Sequence, residues 1–83
     1  MTALVVGADS GLLAEELERM GEDEDVIVMD ESAERLEVLE DEVADPRVWF
    51  IIGGPEVIPL PDDTVDEVVG TDASPEVVRV TRG

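Results

Sequence analysis

Three uninterrupted apolar runs, ALVV (3–6), VIVM (26–29) and VWFII (48–52), constrain this chain more than any other feature. None alternates with polar residues, which is the pattern of strands covered on both faces, as in a parallel sheet. The segments between them repeat at helical spacing. Leu12, Leu13, Leu17 and Met20 share one face of the first, with Glu15, Glu16, Glu18 and Arg19 opposite; Leu36, Leu39 and Val43 share one face of the second. Asp9 or Ser10 can cap the first helix and Ser32 the second. Gly21 is placed to stop the first, and Asp45-Pro46 ends the second, since the residue before proline avoids the helical region. Glu15 and Arg19 stand four apart in the favourable order. Strand, helix, strand, helix, strand with short links implies right-handed crossovers, with the third strand beside the second and the second beside the first. Val65–Val69 reads as a fourth, edge strand because Asp66 and Glu67 interrupt its valines.

Two stretches are less regular. Residues 53–64 form a long connection with Pro55, Pro59 and Pro61, a length that often marks a functional loop. In the tail, Ser74-Pro75-Glu76 reads as a helix start, whereas Val77, Val78 and Val80 prefer strand; the balance favours helix.

Charge is the most unusual bulk property. Asp and Glu number 23 against five basic residues, for a net charge of −18 on 83 residues. All five basic residues are Arg, and the sequence contains no Lys, Cys, His or Tyr. Such a charge repels nucleic acid and anionic membrane surfaces, so neither is an expected partner. The apolar content of 43%, gathered in strand-length blocks, argues against disorder. The composition resembles that of haloarchaeal proteins, in which molar salt screens self-repulsion. No run approaches a membrane span, so the expectation is a soluble, cytoplasmic protein of one domain over 1–83.

The candidate site begins where the first strand ends. ALVVGADSG places a Gly–x–x–x–Gly turn, Gly7 to Gly11, between a strand and a helix start, where Gly7, Ala8, Asp9 and Gly11 would meet a nucleotide-like ligand. A plain strand-to-helix turn would look the same. Asp30, at the tip of the second strand and 19 residues after Gly11, can accept hydrogen bonds from ribose hydroxyls. The carboxylates Asp62, Asp63 and Asp66 suit a hard cation, but in so acidic a chain they carry no metal assignment. A phosphoacceptor receiver needs an acidic pair after the first strand and a later Lys, and this chain has neither.

Taken in order, LVVGADSGLLAEEL, VIVMDESAERLEVLE and IIGGPEVIPLPDDTVDEVV resemble the glycine loop, the acidic second-strand tip with its helix, and the third-to-fourth-strand passage of class I S-adenosylmethionine-dependent methyltransferases. The resemblance covers nearly the whole chain and implies an α/β, small Rossmann-like sheet of two or three layers, mostly parallel, in strand order 3-2-1-4, with helices mainly on one face. It corresponds to the cofactor-binding N-terminal half of that family.

The departures bear on function. The family's first-strand acid is replaced by Val5, and a loop glycine by Asp9, whose carboxylate is expected to crowd the methionine part of the ligand. The acid that meets the adenine amino group in the family aligns with Gly54, and the next residue, Pro55, has no N–H to offer. Gly7, Gly11 and Asp30 keep the family pattern. The leading expectation is therefore a non-catalytic methyltransferase-like domain with a structural or regulatory role, acting as a homodimer or with a protein partner. It has no assigned catalytic residue, needs no cofactor, and leaves S-adenosylmethionine a ligand weakened by Asp9, Gly54 and Pro55. The alternative is a minimal S-adenosylmethionine-binding domain, or a methyltransferase completed by a second chain. Homodimerisation is expected because the two crossover helices cover one sheet face only.

Overall fold

The computed structural model describes residues 1–82. Its elements run β1 (Thr2–Val6), α1 (Ser10–Arg19), β2 (Asp25–Asp30), α2 (Ala33–Glu42), β3 (Val48–Ile52), β4 (Glu67–Val69) and α3 (Pro75–Val80). The four strands form one parallel sheet in the order β3-β2-β1-β4, as the apolar runs require. Register pairs Ala3 with Val26 and Val26 with Val48, and pairs Met29 with Ile51. Alternate residues therefore serve two separate cores.

On one face, Ala3, Val5, Val26 and Val28 pack under Leu13 from α1, Met20 just after it, and Leu36 and Leu39 from α2. The other face is not left to a second subunit alone. Leu4 and Met29 are covered by Ile58 from the proline loop, Val65, and Val80 from α3, all essentially buried. The tail is helical, as its cap predicts: the Ser74 hydroxyl accepts from the Val77 N–H and Pro75 opens the first turn. The cover is incomplete toward β3. Thr2, Asp25, Ile27, Trp49 and Ile51 line an apolar hollow of about 310 Å³, and Trp49 stays 59% exposed.

Three local expectations are corrected. The fourth strand is Glu67–Val69, shorter than Val65–Val69, because Val65 turns into the second core and pairs with the tail: its N–H donates to the Val80 carbonyl and its carbonyl accepts from Arg82 N–H. The first helix stops at Arg19 with Met20 extended, and Gly21 does not take the left-handed conformation expected of a glycine stop. Glu16 points inward rather than outward. It is 4% exposed and pairs with Arg19, which also bonds Glu67 on β4; Glu15 is not Arg19's partner.

That arrangement explains how so acidic a chain closes. Each arginine ties distant segments or helix ends together. Arg47 grips Asp45 through Nε and Nη2 and caps α1 by donating to the carbonyls of Leu17 and Met20. The Arg47 side chain and N–H hold the Asp45 carboxyl down to about 2. Arg82 reaches Asp66 and the Asp63 carbonyl, and Arg79 organises the proline loop. A lysine ammonium could not form these forks. No helix among the described residues is long and apolar enough to cross a membrane.

Candidate functional site

The sheet order places the ends of β1, β2 and β3 side by side, and doubly wound folds bind ligands outside the carboxyl ends of their strands. A cleft of about 170 Å³ opens there, lined by Val6, Gly7, Met29, Asp30, Glu31, Gly53, Gly54 and Pro55. Ligand pockets usually run to about 300–1,000 Å³. This cleft suits the nucleoside part of a cofactor rather than the whole of it.

Gly7 turns the chain at the end of β1 with φ +104°, a conformation that only glycine adopts without strain. A Cβ at Gly7 would meet nothing within 4 Å, so the space in front of it is open to a ligand. Its N–H donates to the Met29 carbonyl at 2.7 Å, holding the turn against β2. The next N–H, from Ala8, donates to Asp30 Oδ2 at 2.8 Å.

Asp30 is the fastener of the site. Its Oδ1 accepts from Ser32 N–H at 2.8 Å, and Arg35 stands 3.6 Å from Oδ2. The Ser32 N–H, then that of Ala8 and the Arg35 charge, hold this buried carboxyl below the usual aspartate range, against the upward push of burial. Both oxygens are thus already engaged by the chain. Each retains a lone pair for a ligand hydroxyl. We expect Asp30→Asn to cost about 1–2 kcal/mol of stability, because the amide turns its NH₂ toward one of the two N–H donors. The folded carboxyl titrates below the unfolded one, so its contribution is full above about pH 4 and is lost as pH falls through the folded value. The gap between wild type and Asp30→Asn in urea unfolding should therefore shrink on acidification below pH 4; a gap independent of pH would contradict this role.

Asp9 does not crowd the open space. It caps α1, its Oδ1 accepting from Gly11 N–H at 2.9 Å and Leu12 N–H at 3.1 Å. Gly11 sits outside the cleft lining, and a Cβ there would come within 3.3 Å of Asp9 Oδ1. Gly11 therefore serves the cap. Val5, in the family's acidic position, lies fully buried in the helix-side core. Gly54 is at the cleft wall, where its N–H and carbonyl pair with Val57 across a tight turn, and Pro55 follows as the next lining residue. Of the acids weighed for a cation, Asp62 pairs with Arg79 and Asp66 with Arg82 and the Thr2 N–H; among the described residues no three carboxylates converge as ligands.

Residue-by-residue reading missed Glu31. Its side chain lies over Gly54, and any Cβ at position 54 would collide with Glu31 Oε1 and stand 3.0 Å from its carboxyl carbon. The register that pairs Asp30 with Ile52 brings Glu31 level with Gly53, one residue short of Gly54, so strand pairing alone does not signal the contact.

Comparison with known proteins agrees with this geometry. No curated protein matches the chain. Among solved structures, a chain of the complex between the Haloferax volcanii Trm112 methyltransferase activator and a methyltransferase is 22% identical, with a TM-score of 0.78 over 98% of this chain and 40% of its own length. A SAM-dependent methyltransferase from Aquifex aeolicus is 26% identical, with a TM-score of 0.75 over 99% of this chain and 51% of its own. The YcgJ protein of Bacillus subtilis is 28% identical, with a TM-score of 0.64 over 81% of this chain and 29% of its own. The chain thus spans between 29% and 51% of the length of these structures. Residues 4–82 match the methyltransferase domain family, and the chain belongs to that family.

Proposed function

We propose that this chain is an S-adenosylmethionine-binding methyltransferase domain that works with a second chain. The observation that carries this reading is the open space before Gly7, held over the cleft by the Ala8–Asp30 hydrogen bond. The leading expectation, a non-catalytic domain, rested in part on Asp9, Gly54 and Pro55 as losses. Asp9 is turned away as a helix cap, and a carboxylate stands at Gly54 after all, supplied by Glu31. The first-strand acid, replaced by buried Val5, and the missing Pro55 N–H remain as departures, each lost contact worth about 1–3 kcal/mol where a partner is left unsatisfied. The polar side chains lining the cleft are the carboxylates of Asp30 and Glu31; in this reading the chain's own part is to bind and orient the donor, while the acceptor site lies on the partner. The incompletely covered face at Ile27, Trp49 and Ile51 gives that partner an apolar surface. The Haloferax relative, solved with an activator, provides the precedent for a second chain. The acid excess and the lack of lysine fit work in molar salt.

Calorimetric titration in molar potassium chloride tests the reading. S-adenosylmethionine and S-adenosylhomocysteine are expected to bind with Kd of about 10–100 µM, weaker than a complete pocket would give. No heat and no thermal shift at millimolar ligand would overturn it. The isolated chain is expected to transfer no labelled methyl group to a cell extract above a boiled control.

A further inference from the structure

We infer that the open edge of β3 is an interface on which a second copy of this chain pairs antiparallel, joining the two sheets into one. This rests on the reading of a domain that works with a second chain, and it names that chain. β3 ends the sheet beyond β2 and has no strand on its far side. The Arg47 carbonyl and the Gly53 N–H bond to β2, so alternation turns the N–H and carbonyl groups of Val48, Phe50 and Ile52 outward. The Val48 N–H is spent on the Asp45 carbonyl; among the described residues, no partner takes those of Phe50 and Ile52.

Monomeric proteins blunt such an edge with charged side chains, proline or very short strands. β4, at the other edge, follows that rule: it has three residues and begins with Glu67. β3 does not. It reads VWFII, with Trp49 59% and Ile52 61% exposed, and lies within 46–55, the longest stretch of the chain without an acid. For a chain of charge −18, that stretch is where a copy of itself can approach closely. The edge is also self-complementary. A two-fold axis at Phe50 pairs its N–H and carbonyl with those of Phe50 in the second copy. It sets each Ile52 N–H against the Val48 carbonyl opposite, so every free donor is used. Trp49 then stands beside Ile51 of the second copy, on the face where Ile27, Trp49 and Ile51 line the apolar hollow. Glu40 and Asp45 rim a second hollow, on the helix side of Val48 and Phe50. Arg47 neutralises Asp45, and molar salt screens Glu40.

Light scattering in molar potassium chloride at about 0.1 mM is expected to give about twice the 9.0 kDa of one chain. Ile52→Pro removes both Ile52 donors but no bond to β2, and should weaken association at least about 10-fold. Ile52→Val keeps the donor and should stay within about 3-fold of wild type. Should Ile52→Pro fail to fold, hydrogen exchange on wild type decides. The Phe50 and Ile52 amides are expected to gain protection as concentration rises, while Val48, held by Asp45, does not change. S-adenosylmethionine binding is measured on the same samples. A 9.0 kDa species persisting at millimolar concentration overturns the inference and leaves the edge to a chain of different sequence; the ligand reading survives if S-adenosylmethionine still binds. A dimer whose Phe50 and Ile52 amides stay unprotected overturns it as well, because the copies then meet elsewhere. A dimer with a protected edge that binds no ligand upholds the inference and removes the ligand reading.

Discussion

In dilute buffer of about 10 mM ionic strength the protein is expected to melt at least about 20 °C lower than in molar potassium chloride, or not to fold at all. The Debye length is about 30 Å in the first condition and about 3 Å in the second. The molecule measures 31 × 27 × 18 Å, so at low salt every carboxylate feels nearly every other. Among the described residues, seven of the 23 acidic side chains form an ion pair with an arginine, and the others form none. The repulsion is concentrated at Glu22 to Asp25 after α1 and along α2. The last turn of α2 carries Glu40, Asp41 and Glu42 with no basic residue, against the favourable direction of the helix dipole. A domain of this size has a thin margin to absorb this. Circular dichroism melts across a potassium chloride series give the answer. Equal melting temperatures at both ends would mean that the acidity serves something other than folding in salt.

The architecture was legible because its determinants are local. Strand order follows from three apolar runs and two amphipathic helices, and the caps at Asp9, Ser32 and Ser74 are readable within four residues. What escaped depends on distant partners. Glu16 reads as a surface residue until Arg19 and Glu67 close around it, and Glu67 comes from 51 residues further along. Even there the closure is imperfect, since one oxygen of each carboxylate is buried without a hydrogen-bond partner. The second core was illegible for the same reason: Ile58, Val65 and Val80 come from a loop, a strand approach and a tail with no shared periodicity.

The site divides along the same line. Gly7, Ala8 and Asp30 come together because β1 and β2 are paired neighbours. Asp9 and Gly11 belong to a cap rather than to the cleft, a distinction that hangs on one side-chain rotation. Glu31 acquires meaning only through Gly54, and alignment to a family pattern at position 54 alone counts the missing acid as a loss.

Arg79→Ala is expected to lower the melting temperature by about 15 °C in molar salt, with Arg79→Lys recovering less than half of that. The loop over 53–64 has little regular structure of its own, and one guanidinium substitutes for it. Arg79 Nη2 donates to the Ile58 carbonyl at 2.8 Å, and Nη1 donates to the Leu60 carbonyl and to Asp62 Oδ1, each at 2.8 Å. Its Nε donates to Glu76 Oε2 at 2.6 Å, while Glu76 Oε1 accepts from the Ile58 N–H. These hydrogen bonds from Arg79 and Ile58 hold the Glu76 carboxyl low, and Glu76 and Asp62 in turn raise the guanidinium above its ordinary value. Removing the fork strands two carbonyls and leaves two carboxylates close together without a cation. A lysine carries the charge but cannot reach both carbonyls and both acids at once. Ile58 and Val80 would then loosen from Leu4 and Met29 on the second face. Hydrogen exchange should localise the damage: the Thr64, Val65 and Arg82 amides, which bond to Val80 and Val65, lose protection while the β1–β2 ladder keeps it. The cleft should suffer too, since Gly53 to Pro55 begin this loop and Ser74 Oγ holds the Pro55 carbonyl at 3.0 Å. A variant melting within about 3 °C of wild type, with those three amides still protected, would show that apolar burial alone seats the loop.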